Sequence, residues 1–383
     1  MVPVIKEVLD SEQWNTFLAQ HSRGHYLQSY EWGELYRYLG SRVYRLGAFD
    51  GTLDNERLVG TLMFVVNPVP IPLLGKYYNW LYCARGPAIE NDNLDILNAL
   101  LARVHEIAKT CHAVVCKMEP NVLEDEDGPW IDHLHSLGFQ ANRHSIIGRR
   151  SWVLDVSPDE QKILAGFRKT WRYNIRLAQR EGVEVREVKT DEDFDTYYRL
   201  LVITSQRDGF FVHSQDYQKE IYQRYASKGD AILYLAIYQG KAVAARMVIR
   251  FGDTCLDMFG ASSNEDRGFP KTHILQYRCI QWAKSKGCKF FDFRTIPENL
   301  DENEEMYGVY HYKKGFGGFS RLHMLTQDYV YRPLIYSLWN TLVEQKRALR
   351  QRKHQKKLAA KSPEQATEKT SPTSLKETIS SKP

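Results

Sequence analysis

The chain spells out one unit of secondary structure twice, and this repetition fixes much of what it can fold into. In the first half, RVYRLGAFDG reads as a strand entering a turn and ERLVGTLMFVV as the strand returning from it; AILYLAIYQG and KAVAARMVIRFG repeat this in the second half. Each half then gives a short apolar strand (YNWLYCARGP; CLDMFGASS), a helix (LDILNALLARVHEIAK; THILQYRCIQWAKSKG) and a buried strand (HAVVCKMEP; CKFFDFRTIP). The turn glycines Gly51 and Gly240 lie 189 residues apart, and Cys111 and Cys288 lie 177 apart, so only short loop changes separate the copies. A solenoid repeat spans about 20–50 residues, so each copy here is large enough to be a domain. The length of 383 residues, beyond what one hydrophobic core usually fills, points the same way.

The order antiparallel hairpin, helix, strand resembles the acetyltransferase (GNAT) fold. The expected class is therefore α+β (mixed α/β), with tandem GNAT-like domains from an internal duplication. The first domain is expected over 1–156, completed by 325–350, and the second over 157–324. A basic, then disordered tail is expected over 351–383, where Ser, Thr, Pro and Lys leave almost nothing apolar to bury.

Between the copies, Ile163, Leu164, Phe167, Trp171, Ile175 and Ala178 fall on one side of a predicted helix. Ser157 and Glu160 read as its capping box, Pro158 as its first residue and Gly182 as its stop. Arg168, Arg172, Arg176 and Arg180 recur every four residues beside Lys169. That stripe is either a solvated face or a grip for tRNA phosphates. The net charge of +5 is modest, but the run from Lys346 to Lys361 holds no acid and suits weak attraction to an anionic inner leaflet. Ahead of it, Leu334, Ile335, Leu338, Trp339 and Leu342 form an apolar helix face expected to pack on domain one. No apolar run reaches the roughly 18–20 residues of a membrane span. MVPVIKEVLDSEQW also lacks the basic-then-apolar pattern of a signal peptide, so the chain reads as cytoplasmic. Six scattered cysteines read as reduced core residues.

Several stretches, in order, are similar to the FemABX family of peptidyltransferases: YLQSYEWGELYRYLG, YCARGP, VCKMEP, KTWRYNIRLAQREGVEV, SQRDGFFVHSQDY, GASSNEDRGFPKTHILQYRCIQWAKSKGCKFFDF and MYGVYHYKKGFGG. The match runs collinearly over about residues 20–345. The stretch from Gly182 to Phe194 leaves no room for the coiled-coil arm of some relatives, so the chain resembles the armless FemX type. The resemblance implies an aminoacyltransferase that works as a monomer without cofactor or metal. Its donor would be aminoacyl-tRNA and its acceptor the stem peptide of a UDP-linked or lipid-linked muropeptide, the reaction that forms interpeptide bridges.

Residue by residue, the resemblance makes Lys313, in YHYKKGFGG, the lysine that stabilises the reacting end of the donor. Ester aminolysis passes through an oxyanion and expels a ribose hydroxyl, and a fixed ammonium lowers that barrier. Glu119, in KMEP, occupies the acidic position near the acceptor, where a carboxylate can orient an amine and take its proton. Arg85 and Tyr217 also match. His213 and Tyr36 stand where the FemX type has an arginine and a lysine on precursor phosphates, with Arg37, Arg207 and Arg85 near enough in sequence to supply charge. Asp257 and Phe259 replace tyrosines, which bears on acceptor selection.

Blander readings stand beside these. Two lysines before GFGG also suit a glycine turn, and Glu119 before Pro120 suits a strand end. His133 and His135 lack a third metal ligand, and Asp301, Glu302, Glu304 and Glu305 read as a solvated loop. The rival functions are an acyl-CoA-dependent GNAT enzyme, a non-catalytic binding module, and a transferase acting on an amine outside peptidoglycan. The acyl-CoA rival needs a glycine-rich turn with free amides, yet DRGFPKTH puts Phe269, Pro270 and Lys271 there, and Pro270 has no amide proton.

Overall fold

The computed structural model describes residues 3–51, 56–265, 270–304, 306–345 and 348–349. Two twisted sheets form, one from each copy. The first runs in the order Val4–Glu7, Arg42–Asp50, Arg57–Pro68, Asn79–Ala84, Ala113–Glu119, Thr326–Val330, Gln140–Asn142. The second runs Phe319–Leu322, Arg150–Asp155, Phe290–Thr295, Thr254–Ser262, Lys241–Phe251, Ala231–Tyr238, Glu184–Glu187.

The predicted repeat is present in detail. In each sheet a long antiparallel hairpin is followed by a third strand, which pairs in parallel with a fourth across a helical crossover. The crossovers are Leu94–Thr110 and Lys271–Ser285. In Leu94–Thr110 the buried Ile96, Leu97, Leu100, Leu101, Val104, Ile107 and Ala108 follow helical spacing. The second hairpin turns through Gln239 and Gly240, both at positive φ (49° and 75°), the geometry of a type I′ turn, which a glycine adopts without strain. The repetition reaches further back than the sequence showed. Val4–Glu7 and Glu184–Glu187 are equivalent edge strands, each followed by two helices: Ser11–Gln20 and Tyr30–Tyr38 in one copy, Asp191–Asp208 and Gln215–Ala226 in the other.

Two expectations need correction. The predicted boundary after residue 156 is displaced, because Arg150–Asp155 lies in the second sheet, paired with Phe290–Thr295 and Phe319–Leu322. Thr326–Val330, inside the 325–350 segment assigned to the first domain, lies in the first sheet between Ala113–Glu119 and Gln140–Asn142. The copies thus exchange strands, and they share one apolar core: Trp14, Leu18 and Leu35 lie in the same cluster as Tyr197, Leu201, Leu233 and Met247. Residues 1–331 accordingly make a single compact unit, and 332–383 a second. Within the second, 333–345 is helical, as predicted. Nearly all of the basic run from Lys346 and the whole of 351–383 lie outside the described residues.

The single helix predicted from Ser157 is two helices, Glu160–Ala165 and Lys169–Arg180. Ser157 cannot cap because its amide and hydroxyl both bind the Asp155 carboxylate; Asp159 caps instead, accepting from Lys162 N at 2.9 Å. The Glu160 side chain, assigned to the capping box, is held by Tyr277 and Gln281. The break at Gly166–Arg168 is filled by one distant and one local partner: Arg168 N donates to Gly315 O at 2.8 Å, and Arg172 Nη1 donates to the carbonyls of Ala165 and Phe167. Gly182, at φ 79°, follows the end of the second helix as predicted.

Candidate active site

In the second sheet the parallel strands Thr254–Ser262 and Phe290–Thr295 pair only as far as Leu256 and Asp292. Beyond that point Arg294 takes φ 64° and the strands part. Lys313 reaches this opening from the short helix Tyr307–Lys314, where its Nζ donates to Thr295 O at 2.8 Å.

The GFGG after the two lysines is what places that helix. Gly315 lies against the Trp171 indole, so a Cβ there would sit 2.3 Å from the ring. Gly318, at φ 94°, lies against Val153 O, where a Cβ would come within 2.2 Å. Phe316 is fully buried among Phe167, Phe293 and Tyr312, and Trp171 Nε1 donates to Tyr312 O at 3.0 Å. Close packing on a glycine and an aromatic cluster holds the helix, and with it the lysine.

Burial pushes the Lys313 ammonium down to about 8; Arg294 and Arg246 push the same way, against Asp257 and Asp292. Asp292 accepts from Arg294 N at 2.6 Å, and burial raises its pKa. Asp257 pairs with Arg246, both buried, yet its Oδ1 has no hydrogen-bond donor. A buried carboxylate oxygen without a donor, beside a lysine of lowered pKa, marks a polar site that the protein leaves incomplete.

The first copy contributes a different environment. Arg85, at φ 56° after strand Asn79–Ala84, donates from N to Glu119 O at 2.7 Å and from Nη2 to Gly148 O at 2.8 Å. The Glu119 carboxylate is buried and accepts from Tyr82 Oη (2.7 Å), Ile146 N (2.6 Å) and Thr326 Oγ1 (3.0 Å). Three donors hold it in one orientation inside the sheet.

Tyr26 joins the two halves. The Arg294 guanidinium stands 5.9 Å from its ring, Trp32 packs edge-on against it at 4.9 Å, and Tyr36 follows Trp32 at 6.4 Å. A cleft of about 600 Å³ opens beside these residues, lined among others by Arg23, His25, Tyr26, Asp292, Arg321 and His323. Burial and the neighbouring Arg85 and Arg321 keep both imidazoles from protonating, His323 being pushed to about 3.

The predicted residues fall into separate groups. Lys313, Asp257 and the Arg85–Glu119 pair belong to the junction just described. Phe259 and Tyr36 are partly buried against the shared core. His213 lies 4.3 Å from the buried Tyr217, whose hydroxyl burial pushes up to about 12. Arg37 and Arg207 are directed elsewhere, Arg37 to Glu34 and Arg207 to Asp208 and Ser262 O. On the basic helix, Arg168 contacts His311 and Arg172 caps the preceding helix, while Lys169, Arg176 and Arg180 are exposed. Sequence reasoning missed Asp292, Arg294, Arg246 and Tyr26. The one available signal was FFDFRT, a strand whose buried phenylalanines alternate with an acid and a base on the other face.

With this geometry established, comparison with known proteins is decisive about kinship. The FemAB family model matches residues 9–240 and 237–344. The chain belongs to the FemAB family. This FemAB protein is 24% identical over 404 residues to the lipid II:glycine glycyltransferase of Staphylococcus aureus (strain USA300), spanning 86% of this chain and 94% of that one. Its fold matches the crystal structure of FemX with a TM-score of 0.78 at 22% identity, over 88% of this chain and 99% of that one. A tandem GNAT protein from the clavulanic acid biosynthesis pathway matches at 0.51 and 13% identity, over 85% and 98% of the two chains. The tandem GNAT-like fold expected from the repeat is therefore present, and the FemAB protein is an acyltransferase.

Proposed function

We propose that this FemAB protein transfers an aminoacyl group from aminoacyl-tRNA to a stem-peptide amine of a lipid-linked peptidoglycan precursor at the cytoplasmic membrane face. The observation that carries the reading is Lys313, fixed by packed glycines at the parted strands with its pKa lowered to about 8. The S. aureus relative, named for glycyl transfer to lipid II, supports the acceptor class.

In the proposed reaction the acceptor nitrogen attacks the ester carbonyl, an amide bond forms, the ester C–O bond breaks, and the ribose hydroxyl leaves with a proton. Lys313 as ammonium stabilises the oxyanion and donates to the leaving oxygen. The amine's proton passes to Asp292 or Asp257, the carboxylates beside it; Glu119, held by three donors, orients the acceptor side through Arg85. Tyr36, His213, Tyr217 and Phe259 would form the acceptor wall. Lys169, Arg176 and Arg180 would meet donor phosphates in a salt-dependent way.

The acyl-CoA alternative is disfavoured at the crossover helix. Pro270 precedes the Lys271–Ser285 helix without a side-chain cap, and the Lys271 ammonium fills the space before it, donating to Ser263 Oγ at 2.9 Å and to Glu265 O. The deciding experiment supplies purified protein with mixed charged tRNAs and lipid-linked muropeptide, and follows the acceptor by mass spectrometry. One added amino-acid residue, absent with Lys313→Met, is expected. Acetylation from acetyl-CoA with no product from any charged tRNA would reject the reading.

A further inference from the structure

We propose that the protein docks on an anionic lipid bilayer through an apolar rim made of Tyr38, Leu39, Leu73, Tyr77, Phe210 and Phe211. This rests on the reading that the acceptor is lipid-linked, and it adds where the bilayer is met. Large apolar side chains are seldom this exposed: Phe211 is 80% accessible, Leu73 73%, Tyr77 67%, and the other three between 44% and 47%.

A series of ring contacts and one hydrogen bond connects the three segments that carry these residues. The Phe211 ring lies 4.9 Å from His213, His213 4.3 Å from Tyr217, and Tyr217 6.5 Å from Tyr38. Tyr38 ends its helix, and just beyond it Ser41 Oγ donates to Asn67 Oδ1 at 2.7 Å, at the end of strand Arg57–Pro68. From that strand end projects the loop bearing Leu73 and Tyr77. The loop is internally tied, Val69 N to Tyr78 O at 3.0 Å and Gly75 N to Ile71 O at 3.0 Å, so its apolar tips are held outward. His213 and Tyr217, proposed above to line the acceptor side, stand at its centre.

Charge selects the partner. From Tyr36 to Arg42 and from Asn67 to Trp80 the sequence holds no acid, and Arg42 and Lys76 are exposed. On the Phe210–Tyr217 side, Asp208 is paired with Arg207 and Asp216 is the one exposed acid. Aromatic and aliphatic tips flanked by unopposed basic residues match the interface of a bilayer containing anionic lipid, where rings settle at headgroup depth. A precursor anchored in that bilayer would then meet the His213–Tyr217 side directly.

The test is flotation of the full chain with phosphatidylcholine vesicles, with and without phosphatidylglycerol, against the L73S/Y77S/F211S triple variant, whose substituted side chains are largely exposed. The wild type should float with phosphatidylglycerol vesicles and detach as salt rises, and the variant should bind at least a hundredfold more weakly, at about tenfold per side chain. Transfer to a water-soluble muropeptide should be unchanged in the variant. Equal flotation of variant and wild type, or none by the wild type, overturns the proposal. So does a wild-type dimer that the variant abolishes, which would assign the rim to a second copy of the chain. Wild-type transfer without flotation rejects the rim and keeps the proposed function; rim-dependent flotation without transfer to any acceptor does the reverse.

Discussion

The two copies of the fold end their fourth strands differently. In the first, Ala113–Glu119 finishes on a carboxylate with a donor for each oxygen. In the second, Phe290–Thr295 finishes among Asp292, Arg294, Asp257 and Lys313, with one oxygen of Asp257 left without a donor. The same backbone thus ends on a fully partnered carboxylate in one half and on an incompletely partnered polar cluster in the other. Polar groups whose partners are complete hold a structure, and those whose partners are incomplete await a ligand.

The largest effects should come from buried charge pairs, one in each copy. Lys117→Met strips the buried Asp328 of an ammonium at 2.6 Å, and Arg246→Met strips Asp257 of its guanidinium. Each should cost about 3–5 kcal/mol in denaturant unfolding. Only Arg246→Met should also slow transfer when both are assayed well below their unfolding midpoints, and equal slowing by both would break the division of labour. Next, Lys313→Met should lower the transfer rate by about 10²–10³ without loss of stability.

The pH dependence sharpens the same contrast. In the proposed reaction the ammonium is the working form, and burial lowers its pKa to about 8, so the ratio of wild-type to Lys313→Met rates should hold below that value and fall by about tenfold per pH unit above it. Taking the ratio cancels the acceptor amine's own titration. Stability should move oppositely: the folded-state pKa lies below the ordinary 10.5, so burying this charge is unfavourable below about 8 and the penalty lifts as pH rises towards 10.5. A smaller effect is expected from Tyr82→Phe, which removes one donor to Glu119: about 1–2 kcal/mol of stability and less than a tenfold change in rate. The smallest concerns the cysteines. All six are buried and burial raises the pKa of every one, so thiol reagents should leave the native protein unlabelled and active, and Cys→Ser variants should form product at the wild-type rate. An acyl group trapped on any of them would reject direct aminolysis.

The repeat was legible because hairpins, crossover helices and buried strands each leave a periodic apolar pattern, and both copies leave the same one. Lys313 stood out through the family resemblance of YHYKKGFGG, while the glycines behind it suited a plain turn; their packing role rests on Gly315 lying against Trp171, 144 residues away in sequence. The break at Gly166–Arg168 was invisible because one replacement partner, Gly315 O, comes from a distant part of the chain, and the other, the Arg172 guanidinium, is a side-chain contact that helix periodicity does not report. Asp292 and Arg294 were passed over for a related reason. In a strand of phenylalanines they looked like ordinary alternation, and only the parting of the neighbouring strand shows the gap they face.

Strand Thr326–Val330 fills the slot between Ala113–Glu119 and Gln140–Asn142. A ribosome that has released the first 150 residues has therefore made a sheet whose outermost strand, Gln140–Asn142, has no neighbour to pair with, and nothing in the nascent chain can fill that slot until translation passes residue 330. The first sheet must wait for residues 326–330, so its folding is tied to slow long-range closure. A chain stopped at 324 would present two unsatisfied strand edges to the cell, an open invitation to aggregate.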